Sequence, residues 1–522
     1  SDRTELGSGV TLGVNALVHY GVTIGDGAVL DADAFLMKGE QVTAHTWWSG
    51  NPAAEVGLPA SAAASPVAAP VPDHAPVETT PGPLAGAALV ATAAMPVPGR
   101  DEELARSAGP TVSGELPGPR SLELAHHGHE PDVTMQCQLG LPVVVAEAAG
   151  TFVRDVDDNV FVDLASGADP VPLGHRHPVV ASEIAARLAE AVSGTEAIAW
   201  VRRASTQAEL SMLPEPLRAR MGVQFGAPAR GSAVDAALGL CRAVTGRRPV
   251  VTLHDGDFSL ARVLQDRAGD VRLPAAVLIS MTDGPGRMVP ASREFVHRVR
   301  QMTRELGIPL VVNETGTDAG RTGTWFAFEQ YGIEPDVVVS TRALTGFEHP
   351  TAVVLYDSRM ARYAVDAPGD PGSRIALMAA ARMADLVRRD DLLANARARG
   401  EQLRARLAGL RDHPAVLDVH GRGLMWGVEL MSPVPGREAS QLAVDVRAHM
   451  LRRGVIVQLS GPRSTVLRIQ PPLTVRADVV DTAVSVLADA LDAAVRWSGG
   501  AGWEDDGAAV GVGARAVEGR AG

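Results

Sequence analysis

An aliphatic residue returns every sixth position near the start of the chain, at Leu6, Leu12, Val18, Ile24, Leu30, Leu36 and Val42. A small or short residue follows four positions later, at Val10, Ala16, Val22, Ala28 and Ala34. One buried aliphatic per short flat strand, with tight corners between, predicts a left-handed parallel β-helix over residues 1–55. Coils bury their ends against neighbours, so either earlier coils precede Ser1, as in the tail of a longer protein, or Trp47 and Trp48 cap the open end. His19 and His45 fall at corners, where a solvated histidine is the plainer expectation than an acyl-transfer base.

The period stops after Val42. Residues 56–119 are rich in alanine and proline and have no sustained repeat, which predicts a semi-extended linker. From Leu122 to about Trp497 the pattern becomes one of alternating strands and helices. Val250–Leu253, Ala276–Ile279 and Leu310–Val312 are apolar runs of buried-strand length, and Arg293–Leu306 is amphipathic at helical spacing. The predicted fold is α/β with a largely parallel sheet over residues 120–498. The Gly/Ala-rich tail, 499–522, predicts disorder.

Composition narrows the function. The chain of 522 residues has room for two or three domains. A formal net charge of −13 argues against nucleic acid and anionic membrane as partners. No apolar run reaches the ~20 residues that cross a bilayer. Cys137 and Cys241 form no CxxC pair, and a reducing cytoplasm is the expected compartment. The basic residues change the picture most. Lys38 is the only lysine, and every other basic position is arginine. Arginine, with a pKa above about 12, is never a free amine in a protein.

The 120–498 stretch carries ordered motifs. They are Gly174-His175-Arg176-His177-Pro178, Ala233–Leu238 with Val244–Arg247, Gly320–Gly323 with Phe328-Glu329, Gly332–Asp336, Gly421–Gly427 and Leu467–Leu473. Together they resemble the class III aminotransferases that use pyridoxal phosphate (PLP), and most closely the diaminobutyrate branch. The resemblance implies fold type I, with a large domain and a smaller C-terminal lobe. In the first segment, Val22–Val29, Leu36–Glu40 and Trp48–Ala53 resemble the terminal β-helix of nonribosomal-peptide-synthetase relatives of the polylysine-synthetase kind.

Carried onto those motifs, the family's chemistry fails at position after position. The family lysine that holds PLP as a Schiff base falls on Arg342 in Ser340-Thr341-Arg342, and a guanidinium does not form that imine. The aspartate that charges the pyridine nitrogen falls on Asn313, and the family glutamine nearby on Gly316. The ring-stacking aromatic falls on Asp257, followed by Phe258. The phosphate cradle reads Arg230-Gly231-Ser232, and the partner-subunit threonine falls on Gly369. The strand end that carries two acids in the family reads Ser280–Pro285. Arg468 matches the substrate-carboxylate arginine, with a surface ion pair as the equal alternative.

The leading expectation is a class III aminotransferase-like domain without catalysis. It would bind no cofactor and act as an interaction module, paired as a homodimer and attached to an amino-acid-activating assembly. The first alternative is a live PLP-dependent diaminobutyrate transaminase acting on 2-oxoglutarate. The second is an anion sensor that uses Arg230, Ser232, Arg342 and Arg468 in the old cofactor cleft.

Overall fold

The computed structural model describes short strand segments between residues 5 and 56, then residues 100–127, 143–166, 171–182 and 184, 195–226, 232–255, 273–282, 286–340, 351–364 and 374–496. The chain divides into two compact units, Ser1–Ala87 and Ala88–Gly522.

The first unit holds strands of two or three residues: β1 (Glu5–Leu6), β2 (Thr11–Leu12), β3 (Leu17–Val18), β4 (Thr23–Ile24), β5 (Val29–Leu30), β6 (Phe35–Leu36), β7 (Gln41–Val42), β8 (Trp47–Ser49) and β9 (Ala54–Val56). Each aliphatic repeat position from Leu6 to Val42 closes one of these strands. Pairing is parallel and joins every third hexad: Leu6 to Ile24 to Val42, Leu12 to Leu30, and Val18 to Leu36. β8 continues the parallel series on β5, and β9 then pairs with β8 antiparallel, so the chain reverses there.

The second unit opens with helices α1 (Arg100–Ala105) and α2 (Pro119–His127). The linker expected over 56–119 therefore ends too late. Leu104 is fully buried, Leu116 joins a core cluster, and Thr111 exchanges backbone hydrogen bonds with Val160 at 2.7 and 2.8 Å. Apolar anchors spaced through an Ala/Pro-rich segment are enough to dock it, although its composition has no period. Asp157 caps α2 by accepting from the Arg120 and Ser121 backbone N–H groups at 2.8 and 2.9 Å. Residues 57–99 lie outside the described residues.

Strands β10 (Val145–Ala149), β11 (Phe152–Asp155) and β12 (Val160–Asp163) form a meander, and helix α3 (Thr195–Met212) follows. The central sheet is built from β13 (Met221–Gly226), β14 (Val250–Leu253), β15 (Ala276–Ser280), β16 (Leu310–Asn313), β17 (Val337–Ser340) and β18 (Ala352–Asp357). Helices α4 (Ser232–Thr245) and α5 (Arg293–Glu305) lie between these strands in sequence. The sheet order is β13-β18-β17-β16-β15-β14. β14 to β17 run parallel, and β18 is antiparallel to both neighbours. The three apolar runs read from the sequence are β14, β15 and β16. In β17, Val337, Val338 and Val339 have no exposure, as a β-branched run buried on both faces requires. The α5 boundary is local chemistry: Ser292 accepts from the Phe295 N–H at the start, and Gly307 at φ +60° follows the end.

The C-terminal lobe contains α6 (Arg374–Arg389), α7 (Leu392–Ala408), β19 (Val416–Arg422), β20 (Met425–Leu430), α8 (Ala439–Arg452), β21 (Val455–Ile456), β22 (Gln458–Ser460), β23 (Val466–Ile469) and α9 (Ala477–Arg496). Its sheet order is β19-β20-β23-β22, while β21 pairs with β12 and ties the lobe to the first meander. The tail 499–522 lies outside the described residues. Among the described residues no helix is long and apolar enough to cross a membrane.

Candidate functional site

In a parallel α/β sheet the ligand cleft lies beyond the carboxyl ends of the strands. Here β15, β16 and β17 end on Ser280, Asn313 and Ser340, three neutral residues. Ser280 pairs with Asn313 across the sheet, and Asn313 with Val339, the residue before Ser340. Asn313 turns its Oδ1 back to accept the Thr315 N–H at 3.1 Å. The charge lies one residue further on. Glu314 is fully buried and accepts from the Ala327 and Phe328 N–H groups at 3.0 and 2.8 Å and from the Thr317 hydroxyl. Burial pushes it up to about 7 against the pull of those donors. Its carboxylate is committed to the turn before Ala327–Tyr331. The backbone passes Gly316 at φ +90°, a conformation that a side-chain-bearing residue such as glutamine adopts only with strain.

Asp318, also buried, accepts from the Ser340 hydroxyl and so fastens this loop to the end of β17. Arg321 is 1% exposed, donates to the carbonyls of Gln470 and Pro471 at 3.2 and 3.0 Å, and is pushed down to about 10 by burial and the nearby Arg468. Arg468 donates to the amide oxygens of Gln470 and Gln458 at 2.5 and 3.2 Å. Burial lowers it as well. Arg468 is half-buried, and among the described residues its hydrogen bonds go to these two glutamines. Arg321 sits within electrostatic reach of both Asp318 and Arg468, which links the loop after β16 to β23.

Several motif residues turn out to hold the frame together. Asp336 pairs with Arg300 at 2.6 Å and accepts from the Leu310 N–H at 3.0 Å, pinning α5 to the sheet. His175 Nε2 lies 2.8 Å from Asp163. Gly423, at φ +56°, allows a backbone approach that a Cβ would block at 2.6 Å from the Arg321 carbonyl. Arg230, Gly231, Asp257, Phe258, Arg342 and Gly369 lie outside the described residues. Ser232 is seen only as the first residue of α4. The sequence reading did not single out Asp318 or Glu209. The stretch around Glu209 reads as a polar helix turn, and nothing local marks that residue as buried.

PLP held as a Schiff base does not fit the residues present. The described strand ends present hydroxyls and an amide, and Asn313, where a carboxylate is needed, is neutral and already used by its own turn. No lysine amine lies anywhere beyond Lys38. Among the described residues no cluster of His, Cys, Asp and Glu is arranged to hold a metal.

Residues 260–491 match the family model for class-III aminotransferases. Over 415 residues the chain is 29% identical to a diaminobutyrate–2-oxoglutarate aminotransferase of Rhizobium meliloti, a match that covers 67% of this chain and 88% of that protein. Over 402 residues it is 27% identical to a diaminobutyrate–2-oxoglutarate transaminase of Nocardia farcinica, covering 67% and 90%. The α/β unit shares the fold of solved transaminases. A transaminase from the marine bacterium Virgibacillus superposes with a TM-score of 0.62 at 21% identity, covering 72% of this chain and 99% of that one. An ornithine aminotransferase from Plasmodium yoelii gives 0.59 at 21%, covering 72% and 98%. The architecture is fold type I of the PLP-dependent transferases, as the motifs implied.

Proposed function

We propose that this aminotransferase domain does not run lysine-based transamination and serves as a non-catalytic interaction module, paired as a homodimer. The observation that carries this reading is the lack of any lysine beyond Lys38, together with a neutral Asn313 at the end of β16. A Schiff base needs an amine, and the ring needs a charged partner to act as an electron sink. The parallel pairing of every third hexad supports reading residues 1–55 as coils of a β-helix, with 57–99 as linker and an amino-acid-activating assembly as the neighbour. The test is to mix the purified chain with PLP, treat it with borohydride and map the peptides. The expected result is no reducible chromophore on residues 120–498. A reduced adduct mapped to that stretch would overturn the reading, and native mass spectrometry checks the dimer.

A second reading is favoured by the relatives, and the comparisons weigh on its side: a PLP-dependent transaminase passing an amino group from diaminobutyrate to 2-oxoglutarate. Both named relatives carry that activity in their names and are matched along most of their length. Turnover of the wild-type chain with these two substrates would establish it. For the double variant Arg342→Lys, Asn313→Asp we expect no turnover, because Asp257 and Gly369 still differ from the family. A rate near ~1 per second, ordinary for an enzyme, would mean that the rest of the pocket is intact. The anion-sensing reading rests on Arg468, which is half-buried and without a carboxylate partner among the described residues.

A further inference from the structure

The Gly174–Pro178 motif borders a cavity that the functional reading leaves unused. At about 360 Å³ the cavity is within the size range of small-molecule sites. Four segments meet around it: α1, the turn between β10 and β11, the loop through His177, and the start of α9. None of the strand-end residues Ser280, Asn313 and Ser340 lines it. Two of the segments are pinned to each other by backbone. Gly150 and His175 exchange N–H to carbonyl hydrogen bonds at 2.8 and 2.9 Å. Gly174, at φ +80°, permits that approach, because a Cβ there would lie 2.6 Å from the Gly150 carbonyl oxygen.

The lining has two characters. Ala149, Phe152, Leu173 and Val479 are buried and belong to the main core, so part of it is apolar. The guanidiniums of Arg106, Arg176 and Arg476 stand against one lining carboxylate, Glu102. Arg476 is fixed ahead of any ligand. Its Nε and Nη2 donate to Asp478 at 3.1 and 2.9 Å, and Nη2 donates again to the Ser107 carbonyl at 2.7 Å. Its Cζ lies 5.6 Å from the centre of the Phe152 ring. These bonds leave the two N–H groups of Nη1 unused among the described residues, beside an aromatic wall. Arg106 pairs with Glu102 at 3.1 Å on the exposed helix surface, where an ion pair is weak enough to exchange. His177 also lines the cavity, and its Nδ1 is buried without a hydrogen bond among the described residues. Burial lowers its pKa, so it adds no charge near neutral pH.

Each simpler occupant fits only part of this lining. A neutral apolar molecule leaves Nη1 unanswered, inorganic phosphate leaves Phe152 and Leu173 against water, and a cation meets three arginines. The formal charges of Arg106, Arg176, Arg476, Glu102 and Asp478 balance to one positive, which matches a monoanion. We propose that this cavity binds a small monocarboxylic acid with an apolar body, its carboxylate on Nη1 of Arg476 and its body against Phe152 and Leu173. Ala105 and Arg106 belong to the lining, so the bound acid also ties the 100–106 segment to the domain. This inference goes beyond the functional reading: it needs neither a lysine nor PLP, and it holds whether or not the domain turns over a substrate.

Isothermal titration of the full chain tests it, with benzoate, benzamide and inorganic phosphate as probes. Benzoate should bind at millimolar concentration or below. Its affinity should exceed at least about tenfold that of benzamide, which has the body without the charge, and that of phosphate, which has the charge without the body. Arg476→Gln should weaken benzoate by at least about tenfold. If that change disturbs the start of α9, Ala105→Leu narrows the cavity from α1 with every arginine kept, and should weaken benzoate by a similar factor. Hydrogen exchange over 100–106 should slow when the wild type is saturated with benzoate. No binding of benzoate, equal binding of benzamide or phosphate, or wild-type affinity in either variant would overturn the site, and unchanged exchange would overturn the tie to 100–106.

Discussion

The middles of strands β15, β16 and β17 and the residues on which they end have followed different rules. In the middles, Val277, Ile279, Val311, Val312, Val337, Val338 and Val339 are apolar and without exposure. At the ends stand Ser280, Asn313 and Ser340, none of them charged. The middles answer to the hydrophobic effect and to close packing, which any chemistry or none demands. The ends answer only to the reaction they serve. The core of a fold and the residues at its strand ends can therefore change separately, because different terms of the free energy maintain the two.

The largest effect that would break this comparison is one on stability. Phe328→Ala, in the core and stacked on Phe326 with centroids 5.7 Å apart, should cost about 3–5 kcal/mol. Asn313→Ala should cost about 1 kcal/mol or less, the worth of one ordinary hydrogen bond. Denaturant midpoints of the two variants measure the contrast, and equal losses would show that the strand end is as structural as the core.

A smaller effect sharpens the comparison by pH. Burial raises Glu314 and Glu329 from 4.5 to about 7. The folded protein then binds more protons than the unfolded one between those values. The stability this contributes is full below pH 4.5 and is lost as pH rises through 7. Neutralising one such group by Glu329→Gln should flatten the pH dependence of the unfolding midpoint by on the order of 1–3 kcal/mol over that window. Unchanged slopes in wild type and variant would mean that the loop carboxyls are better solvated than their burial implies.

The smallest effect concerns Cys241, on α4 against the sheet. Burial pushes its thiol up to about 12, with Asp336 adding to the shift, and the thiol form is unreactive. Peptide mapping should find Cys241 unmodified by iodoacetamide in the native protein and alkylated after unfolding. Ready native labelling would show that the packing between α4 and the sheet opens often, which the contrast between core and strand ends does not allow.

Much of the fold was legible in the residues. β14, β15 and β16 stand where their apolar runs place them, and α5 starts at its serine cap. The docked segment over residues 100–119 was not legible, because its apolar anchors have no period and meet their partners only in space. Arg468 was half legible: its motif marked it, but its partial burial and its two glutamine partners depend on how the strands of the lobe come together. The roles of Asp336 and His175 were hidden for the same reason.

By itself, the sequence determined which side chains this chain has and which it lacks. A missing amine is a matter of inventory, and no folding creates one beyond Lys38. It also determined the strands and helices, because side-chain periodicity is local and the backbone repeats at two or 3.6 residues. Only the tertiary structure decided which charges are buried and what serves them. Glu209 and Glu314 each look ordinary in their own segments, yet both are fully buried, Glu314 served by two N–H groups and a hydroxyl and Glu209 by no hydrogen bond among the described residues. The difference arises because tertiary packing removes water from both, and the strength of an interaction between charges depends on what surrounds them.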